Sequence, residues 1–173
     1  MRFAAKLITV FCLTLPLLAQ TIPGTKAKAL DDSEITLPKR GDSKPILLLI
    51  GFSHKSGDAC GRWNKQVLSQ YLTDPQVNYY QIAELQGAPG FVRPMILHGM
   101  RKDVPKEQQS RFLPIFADEN QWKTLVSYSA SSPDHAYLIV ADSTGRVFWT
   151  THGPPDDSKT SALKDALAQA AKK

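Results

Sequence analysis

Cysteine is scarce in this chain, which has only Cys12 and Cys60 among its 173 residues. No C-x-x-C pair occurs, and this excludes the dithiol chemistry of that motif. Because Cys12 lies in an N-terminal segment that we predict to be removed, the mature chain keeps Cys60 alone and cannot close an internal disulfide. Cys60 is therefore a free thiol, a mixed-disulfide partner or a link between two chains.

Other patterns that carry chemistry are also missing. The four histidines, His54, His98, His135 and His152, show neither H-x-x-x-H nor His–Cys spacing, so the sequence predicts no metal site. It contains no glycine-rich phosphate loop or carboxylate pair, so no cofactor is expected. Lysine and arginine are scattered along the chain rather than clustered, which argues against a nucleic-acid partner.

The N-terminal segment has the pattern of a secretory signal peptide. Arg2 and Lys6 precede an apolar run, residues 7–19, that ends at the small residue Ala19. The run is shorter than the roughly 20 apolar residues of a transmembrane helix, and Pro16 interrupts it, so a retained membrane anchor is the weaker alternative. We expect cleavage after Ala19 and an exported chain, periplasmic or secreted. Its formal net charge falls from +5 to +3 when the two cations leave.

The segment that follows, residues 20–32, is predicted to be a flexible linker. Its residues are mostly small and polar and follow no periodicity. Residues 33–173 then form one domain, a length at which a single hydrophobic core forms without metals or cross-links.

Two apolar patterns early in this domain predict a β-α-β unit. Residues 46–52, ILLLIGF, form a nearly unbroken apolar run, which is typical of a strand covered on both faces in a parallel sheet. Residues 60–72 have helical spacing with Asp58 as a possible N-cap, and residues 77–85 are rich in β-branched and aromatic side chains. This order predicts two parallel strands joined by a right-handed crossover. A short half-buried strand, residues 33–38, precedes them.

The C-terminal half predicts an antiparallel hairpin followed by a helix. The turn ADSTGR, in which Gly145 can adopt a positive φ, separates two apolar strands. The elements predicted here are a helix from near Pro89, a strand at 112–116, a helix at 119–128 capped by Asp118, hairpin strands at 135–140 and 147–151, and a helix that starts within 154–158. This order predicts a thioredoxin-like α/β fold with a central mixed sheet, flanking helices, and a C-terminal β-hairpin and helix.

The loop after the buried strand, residues 51–63, lies where thioredoxins carry their dithiol and peroxiredoxins their reactive cysteine. It contains Cys60, with His54, Lys55 and Arg62 nearby. If Cys60 stands at a helix N-terminus, the helix dipole and these cations favour the thiolate. Cys60 is therefore the candidate catalytic residue.

The peroxiredoxin pattern P-x-x-x-T-x-x-C is nevertheless broken in this chain. Ser53 replaces its proline and Gly57 its threonine, and His135 and Ala136 stand where the downstream arginine would be. These replacements remove the groups that position peroxide. A structural or incidental Cys60 is accordingly favoured over a catalytic one.

Six residues are candidates for binding a partner, each with a plainer alternative. Loop histidines are commonly solvated surface groups, and Trp63 could pack on the sheet rather than cover a binding surface. The charged region around Arg93 is either a partner surface or a solvated face. The six are His54, Lys55, Trp63, Arg93, Arg146 and Trp149.

The terminal block HAYLIVADSTGRVFWTTHGPPDDSKTSAL contains a D-x-x-G-R-x-x-W-x-x-x-G pattern, formed by Asp142, Gly145, Arg146, Trp149 and Gly153. Together with the strand ending in GFS, the spacer before Trp63 and the segment MRKDVPKEQQSRF, this block resembles the mitochondrial ATPase complex subunit ten family and its bacterial relatives. The resemblance spans about residues 46–167. It implies a thioredoxin-like fold and an assembly factor for the membrane sector of ATP synthase, which works by binding rather than by redox catalysis.

Two functional hypotheses follow. The first is an exported, non-catalytic binding or assembly-factor protein, which the missing second cysteine favours, and whose protein partner is expected at a membrane. The second is a single-cysteine thiol oxidoreductase or peroxidase of peroxiredoxin type that uses Cys60. Mitochondrial members of the family act on the matrix side, whereas an exported chain acts on the other face of a bacterial membrane, so the resemblance does not identify the partner.

Overall fold

The computed structural model describes residues 20–39 and 41–172. The predicted signal peptide, residues 1–19, lies outside the described residues. Within them, the strands are β1 Thr25–Lys28, β2 Glu34–Leu37, β3 Ile46–Gly51, β4 Asn78–Glu84, β5 Phe112–Ile115, β6 Ala136–Ala141 and β7 Val147–His152. The α-helices are α1 Ser56–Trp63, α2 Arg93–Asp103, α3 Glu119–Leu125 and α4 Asp157–Ala170. None of the described helices is both long and apolar enough to cross a membrane.

Five of the strands form one mixed sheet in the order β5-β4-β3-β6-β7. Central β3 is parallel to β4 and antiparallel to β6, and β5 is parallel to β4 at one edge. At the other edge, β7 pairs antiparallel with β6. The predicted parallel pair, the C-terminal hairpin and the final helix are thus confirmed.

The central strand β3 is covered on both faces, as its unbroken apolar run predicted. Successive side chains of a strand point to opposite faces of the sheet. Leu47 and Leu49 therefore belong to the core layer that contains α1 and α4, whereas Leu48 and Ile50 belong to the layer that contains α3. All four side chains are fully buried. Two apolar layers thus enclose the sheet.

Residues 20–32 are part of the fold, which corrects the prediction of a flexible linker. β1 pairs antiparallel with β2 in a separate two-stranded sheet. Thr21 forms a β-bridge with Arg146, and the Ile22 amide donates to the Gly145 carbonyl at 2.8 Å. The Ile22 side chain is buried. Backbone hydrogen bonds and isolated apolar anchors hold this segment in place. It therefore needs few apolar residues, and its sequence shows no periodicity.

The first helix begins earlier than predicted. α1 starts at Ser56 with Lys55 at its N-cap, so Asp58 lies in the first turn and is not the cap. A π-helical turn, Asn64–Leu68, and a 3-10 turn, Ser69–Leu72, continue the helical path. The polar residues before Cys60 look like a loop in the sequence, yet they form the first turn of the helix. Cys60 consequently lies one turn into α1 and not at the N-terminus of the helix.

Candidate functional site

The carboxyl ends of β3 and β4 face a surface that also includes the start of α1, the segment after α3 and the open end of the β6–β7 hairpin. In α/β sheets, ligands bind at the carboxyl ends of the parallel strands. We call this region the carboxyl-end surface. Its side chains with at least partial exposure are Phe52, Ser53, His54, Lys55, Tyr128, Asp134, His135 and His152.

Two serines organise the loop between β3 and α1. The Ser56 amide donates to Ser53 Oγ at 3.0 Å, and Ser56 Oγ donates to the Ser53 carbonyl at 2.6 Å. Ser53 Oγ in turn donates to Asp134 Oδ1 at 2.6 Å and so ties this loop to the segment before β6. The first of these contacts satisfies the Ser56 amide, which has no partner within the helix.

Gly51, the last residue of β3, allows this close packing. A Cβ at Gly51 would clash with Ser56 Oγ and come within 3.5 Å of Cys60 Sγ. Only glycine therefore lets α1 approach the strand end so closely.

The Cys60 thiol faces the core rather than the carboxyl-end surface. Its side chain is 2% exposed and packs with Leu47, Trp63 and Tyr79 in one core layer. Burial raises the pKa of the Cys60 thiol to about 12, because an apolar environment disfavours the thiolate. The expected activation of Cys60 by a helix N-terminus is therefore wrong. The helix dipole and the loop cations are outweighed by desolvation.

Three aromatic rings pack together at the carboxyl-end surface and beneath it. Phe52 contacts Tyr128 and Tyr137 edge-on, with ring centroids 5.3 Å apart in both pairs. The Lys123 ammonium lies 4.5 Å from the centre of the Tyr128 ring. Aromatic and cationic side chains of this kind are common at protein interfaces, because they bury a large area and retain a polar group.

A buried carboxylate closes the β4 side of the surface. Glu84 is 5% exposed and accepts a hydrogen bond from the Gln86 amide at 2.8 Å. Desolvation raises the pKa of Glu84, whereas the Gln86 amide acts in the opposite direction. Nearby, Lys123 Nζ pairs with Glu119 at 2.5 Å, and this hydrogen bond raises the pKa of Lys123. The two carboxyls and one ammonium form a small charged group beside the aromatic rings.

At the open end of the hairpin, His135 and His152 meet. Their Nδ1 atoms are 3.0 Å apart, and their rings are inclined by 25° with centroids 5.2 Å apart. Neither an H-x-x-x-H nor a His–Cys spacing reveals this pair, because its members are 17 positions apart in the chain. The predicted hairpin contained the signal, since its two strands bring residue 135 opposite the end of the second strand.

The structure separates the six predicted binding residues rather than joining them. His54 and Lys55 are exposed on the carboxyl-end surface. Trp63 is fully buried, and its Nε1 donates to the Gly153 carbonyl at 2.7 Å, so it is a core residue and not a binding residue. The helical spacing of Trp63 was compatible with packing on the sheet or with covering a binding surface. In the structure, α1 directs Trp63 into the core.

The other three predicted binding residues lie elsewhere. Arg93 donates to the Ala88 carbonyl at 3.0 Å and covers the Phe116 ring, so it stabilises the turn before α2. Arg146 is exposed at the hairpin turn, which lies at the opposite end of the sheet because β6 runs antiparallel to β3. Trp149 is partly buried against the core layer of α1 and α4.

Among residues 20–39 and 41–172, no group of three or more histidine, cysteine, aspartate or glutamate side chains is placed to hold a metal ion. The thiol of Cys60, the one cysteine in this part of the chain, is also buried.

This architecture consists of a central mixed sheet between helices, with a β-α-β unit and a terminal β-β-α unit. Solved structures share it. The fold is thioredoxin-like. The pneumococcal exposed lipoprotein thioredoxin of Streptococcus pneumoniae is similar with a TM-score of 0.52 and 12% identity, over 87% of this chain and 98% of that one. The thio-disulfide isomerase of Thermus thermophilus gives a TM-score of 0.53 and 19% identity, over 88% and 95%.

A third similar structure is BsSco, a member of the Sco family of cytochrome c oxidase assembly proteins. Its TM-score is 0.53 at 14% identity, over 87% of this chain and 95% of that one. No family model and no curated protein matches the sequence. The thioredoxin-like fold is thus supported by structure, whereas membership of the ATP synthase assembly family gains no support from these comparisons.

Proposed function

We propose that this chain is an exported, non-catalytic thioredoxin-like protein that binds a protein partner through its carboxyl-end surface, in the manner of an assembly factor. The observation that carries the proposal is the state of Cys60. Its thiol is 2% exposed and has a pKa raised to about 12, so it is neither accessible nor ionised at neutral pH.

The composition of the carboxyl-end surface supports binding rather than catalysis. Thiol enzymes of this fold place a reactive cysteine in this loop. Here the loop holds Ser53 and Ser56, which are hydrogen-bonded to each other, and Ser53 also donates to Asp134. Among the described residues, neither serine is hydrogen-bonded to a histidine or a lysine that would activate its hydroxyl as a nucleophile. What faces outward is a mixture of aromatic, cationic and imidazole groups, which suits a protein surface.

Export and a partner at the membrane belong to the same proposal. The basic, apolar and small order of residues 1–19 supports export. The similarity to BsSco supports the idea that this fold serves assembly roles as well as disulfide exchange. The sequence resemblance to ATP synthase assembly factors points to a membrane complex as the class of partner.

Affinity capture from a solubilised envelope fraction tests the binding role. We expect the mature chain from Gln20 to retain a specific protein, and Cys60→Ser to retain it equally. The double variant His54→Ala with Lys55→Glu should retain roughly tenfold less, the effect of about 1.4 kcal/mol of lost binding energy. Lys164→Glu, an exposed charge change on α4, is the matched control and should bind like wild type. Equal capture by every variant would contradict the assignment of the carboxyl-end surface.

A further inference from the structure

The His135 and His152 imidazoles, at the open end of the β6–β7 hairpin, approach each other closely through equivalent nitrogen atoms. His135 directly precedes β6 and His152 is the last residue of β7. The two Nδ1 atoms are 3.0 Å apart, and the rings are inclined by 25°. Both rings belong to the carboxyl-end surface, but the proposed partner binding gives their close approach no role of its own.

The surrounding residues hold both rings in place. The Tyr137 ring stacks on His152 with centroids 5.4 Å apart, and Tyr137 is itself fully buried. Its hydroxyl donates to the Ser132 carbonyl at 3.2 Å. On the other side, His135 lies over Gly153, where an added Cβ would be 3.7 Å from its Nδ1 and Cε1. The two nitrogens therefore face each other without a rearrangement of the backbone.

A neutral imidazole has one nitrogen with a free lone pair, and the two Nδ1 atoms here can share at most one proton between them. A metal ion can occupy the position of that proton and accept both lone pairs. Zinc–imidazole bonds are about 2.0–2.1 Å long, so two nitrogens on a tetrahedral ion are about 3.3–3.4 Å apart. The rings would need to separate by only about 0.3–0.4 Å from their present distance.

We propose that His135 and His152 form a two-histidine site for a divalent transition-metal ion, bound through both Nδ1 atoms. Imidazole ligands suit Cu²⁺, Ni²⁺ and Zn²⁺, and Cu²⁺ forms the strongest complexes of the three. Since no third histidine, cysteine or carboxylate joins the pair among the described residues, water or an external ligand fills the remaining positions. The site is therefore an open one rather than a closed structural site.

The charges around the pair permit a cation. The ammonium of Lys159 lies near Gly153, as His135 does, and is held by Asp156 Oδ2 at 3.0 Å and by the Pro154 carbonyl at 2.8 Å. Its charge is thus partly neutralised. Asp134, adjacent to His135 in the chain, adds a negative charge to the same region while it accepts the Ser53 hydroxyl.

Calorimetric titration of the tag-free mature chain with CuCl₂, and separately with ZnCl₂, tests this site. We expect one ion per chain, with Cu²⁺ bound more tightly. Either His135→Ala or His152→Ala should weaken binding by about tenfold or more, because each removes one of two ligands. His98→Ala, an exposed histidine on α2, is the matched control and should bind like wild type. Circular dichroism verifies that each variant is folded.

A second measurement does not depend on any substitution. In histidine-selective NMR spectra of wild type, substoichiometric Cu²⁺ should broaden the ring signals of His135 and His152 before those of His54 and His98. The proposal is overturned if wild type and the double variant His135→Ala with His152→Ala bind the ion alike. It is equally overturned if wild type shows no saturable binding, or if the broadening begins at His54 or His98.

Discussion

At the scale of single residues, the environment of Cys60 decides what its thiol can do. The sequence placed cations and a helix start near it, and both favour a thiolate. The structure adds what the sequence could not provide, which is the rotational position of the residue on α1. Because the helix begins at Ser56, Cys60 faces β3 and loses its solvent. A difference of four residues between the predicted and the observed helix start thus separates the expectation of a reactive thiol from the buried thiol of the structure.

Alkylation kinetics report directly on that thiol. With its pKa raised to about 12, we expect iodoacetamide at pH 8 to modify Cys60 about a thousandfold more slowly than free cysteine. The same chain unfolded in urea should react at the rate of free cysteine, which provides the control. A native rate within tenfold of the unfolded rate would contradict the buried thiol.

Glu84 makes the stability of the fold depend on pH. Desolvation raises its pKa in the folded state, so between the ordinary glutamate value and the raised value the native chain binds more protons than the unfolded chain. The contribution of Glu84 is therefore most favourable at low pH and is lost as pH rises through the folded-state pKa. Glu84→Gln does not titrate and should be more stable than wild type at pH 8.

Urea unfolding at a series of pH values measures this effect. The difference in unfolding free energy between Glu84→Gln and wild type should shrink toward low pH, where the wild-type carboxyl is protonated in both states. Glu107→Gln, the same substitution at an exposed position, serves as the control. A variant less stable than wild type at pH 8 would show that the carboxylate of Glu84 is favourable in the fold.

At the scale of secondary structure, the strongest periodic signals were also the correct ones. The apolar run of β3 fixes it as the central strand because only a strand covered on both faces can bury Leu47 and Leu48 together. The hairpin around Gly145 followed from its turn residues and two apolar strands. β1 escaped detection because its sequence TKAK is small and polar, and pairing with β2 gives it its structure.

The junction between β3 and α1 depends on the missing side chain at Gly51. Gly51→Ala should cost about 1–3 kcal/mol of unfolding free energy, because its Cβ would clash with Ser56 Oγ. In a Ser56→Ala background the obstructing oxygen is absent, so the same substitution should cost less than about 1 kcal/mol. Denaturant unfolding of the four proteins completes the double-mutant cycle. Equal costs in the two backgrounds would contradict the proposed clash.

At the scale of the whole molecule, the order of elements was sufficient to predict a thioredoxin-like fold, which the structural comparisons confirm. The candidate site was less predictable. His54 and Lys55 follow the central strand in sequence, so their place at its carboxyl end could be foreseen. The Ser53–Asp134 bond joins residues 81 positions apart, and only the assembled sheet brings them together. Such contacts depend on the register of several strands, which no local pattern contains.

Turnover assays test most directly whether this thioredoxin-like protein works without thiol catalysis. The mature chain would be assayed for hydrogen peroxide consumption with dithiothreitol, and for reduction of insulin disulfides, beside Cys60→Ser. We predict that wild type and variant give the same rates, neither above that of the reductant alone. A wild type that consumes peroxide or reduces insulin far faster than free cysteine, with the activity lost in Cys60→Ser, would contradict the account and establish Cys60 as a catalytic thiol.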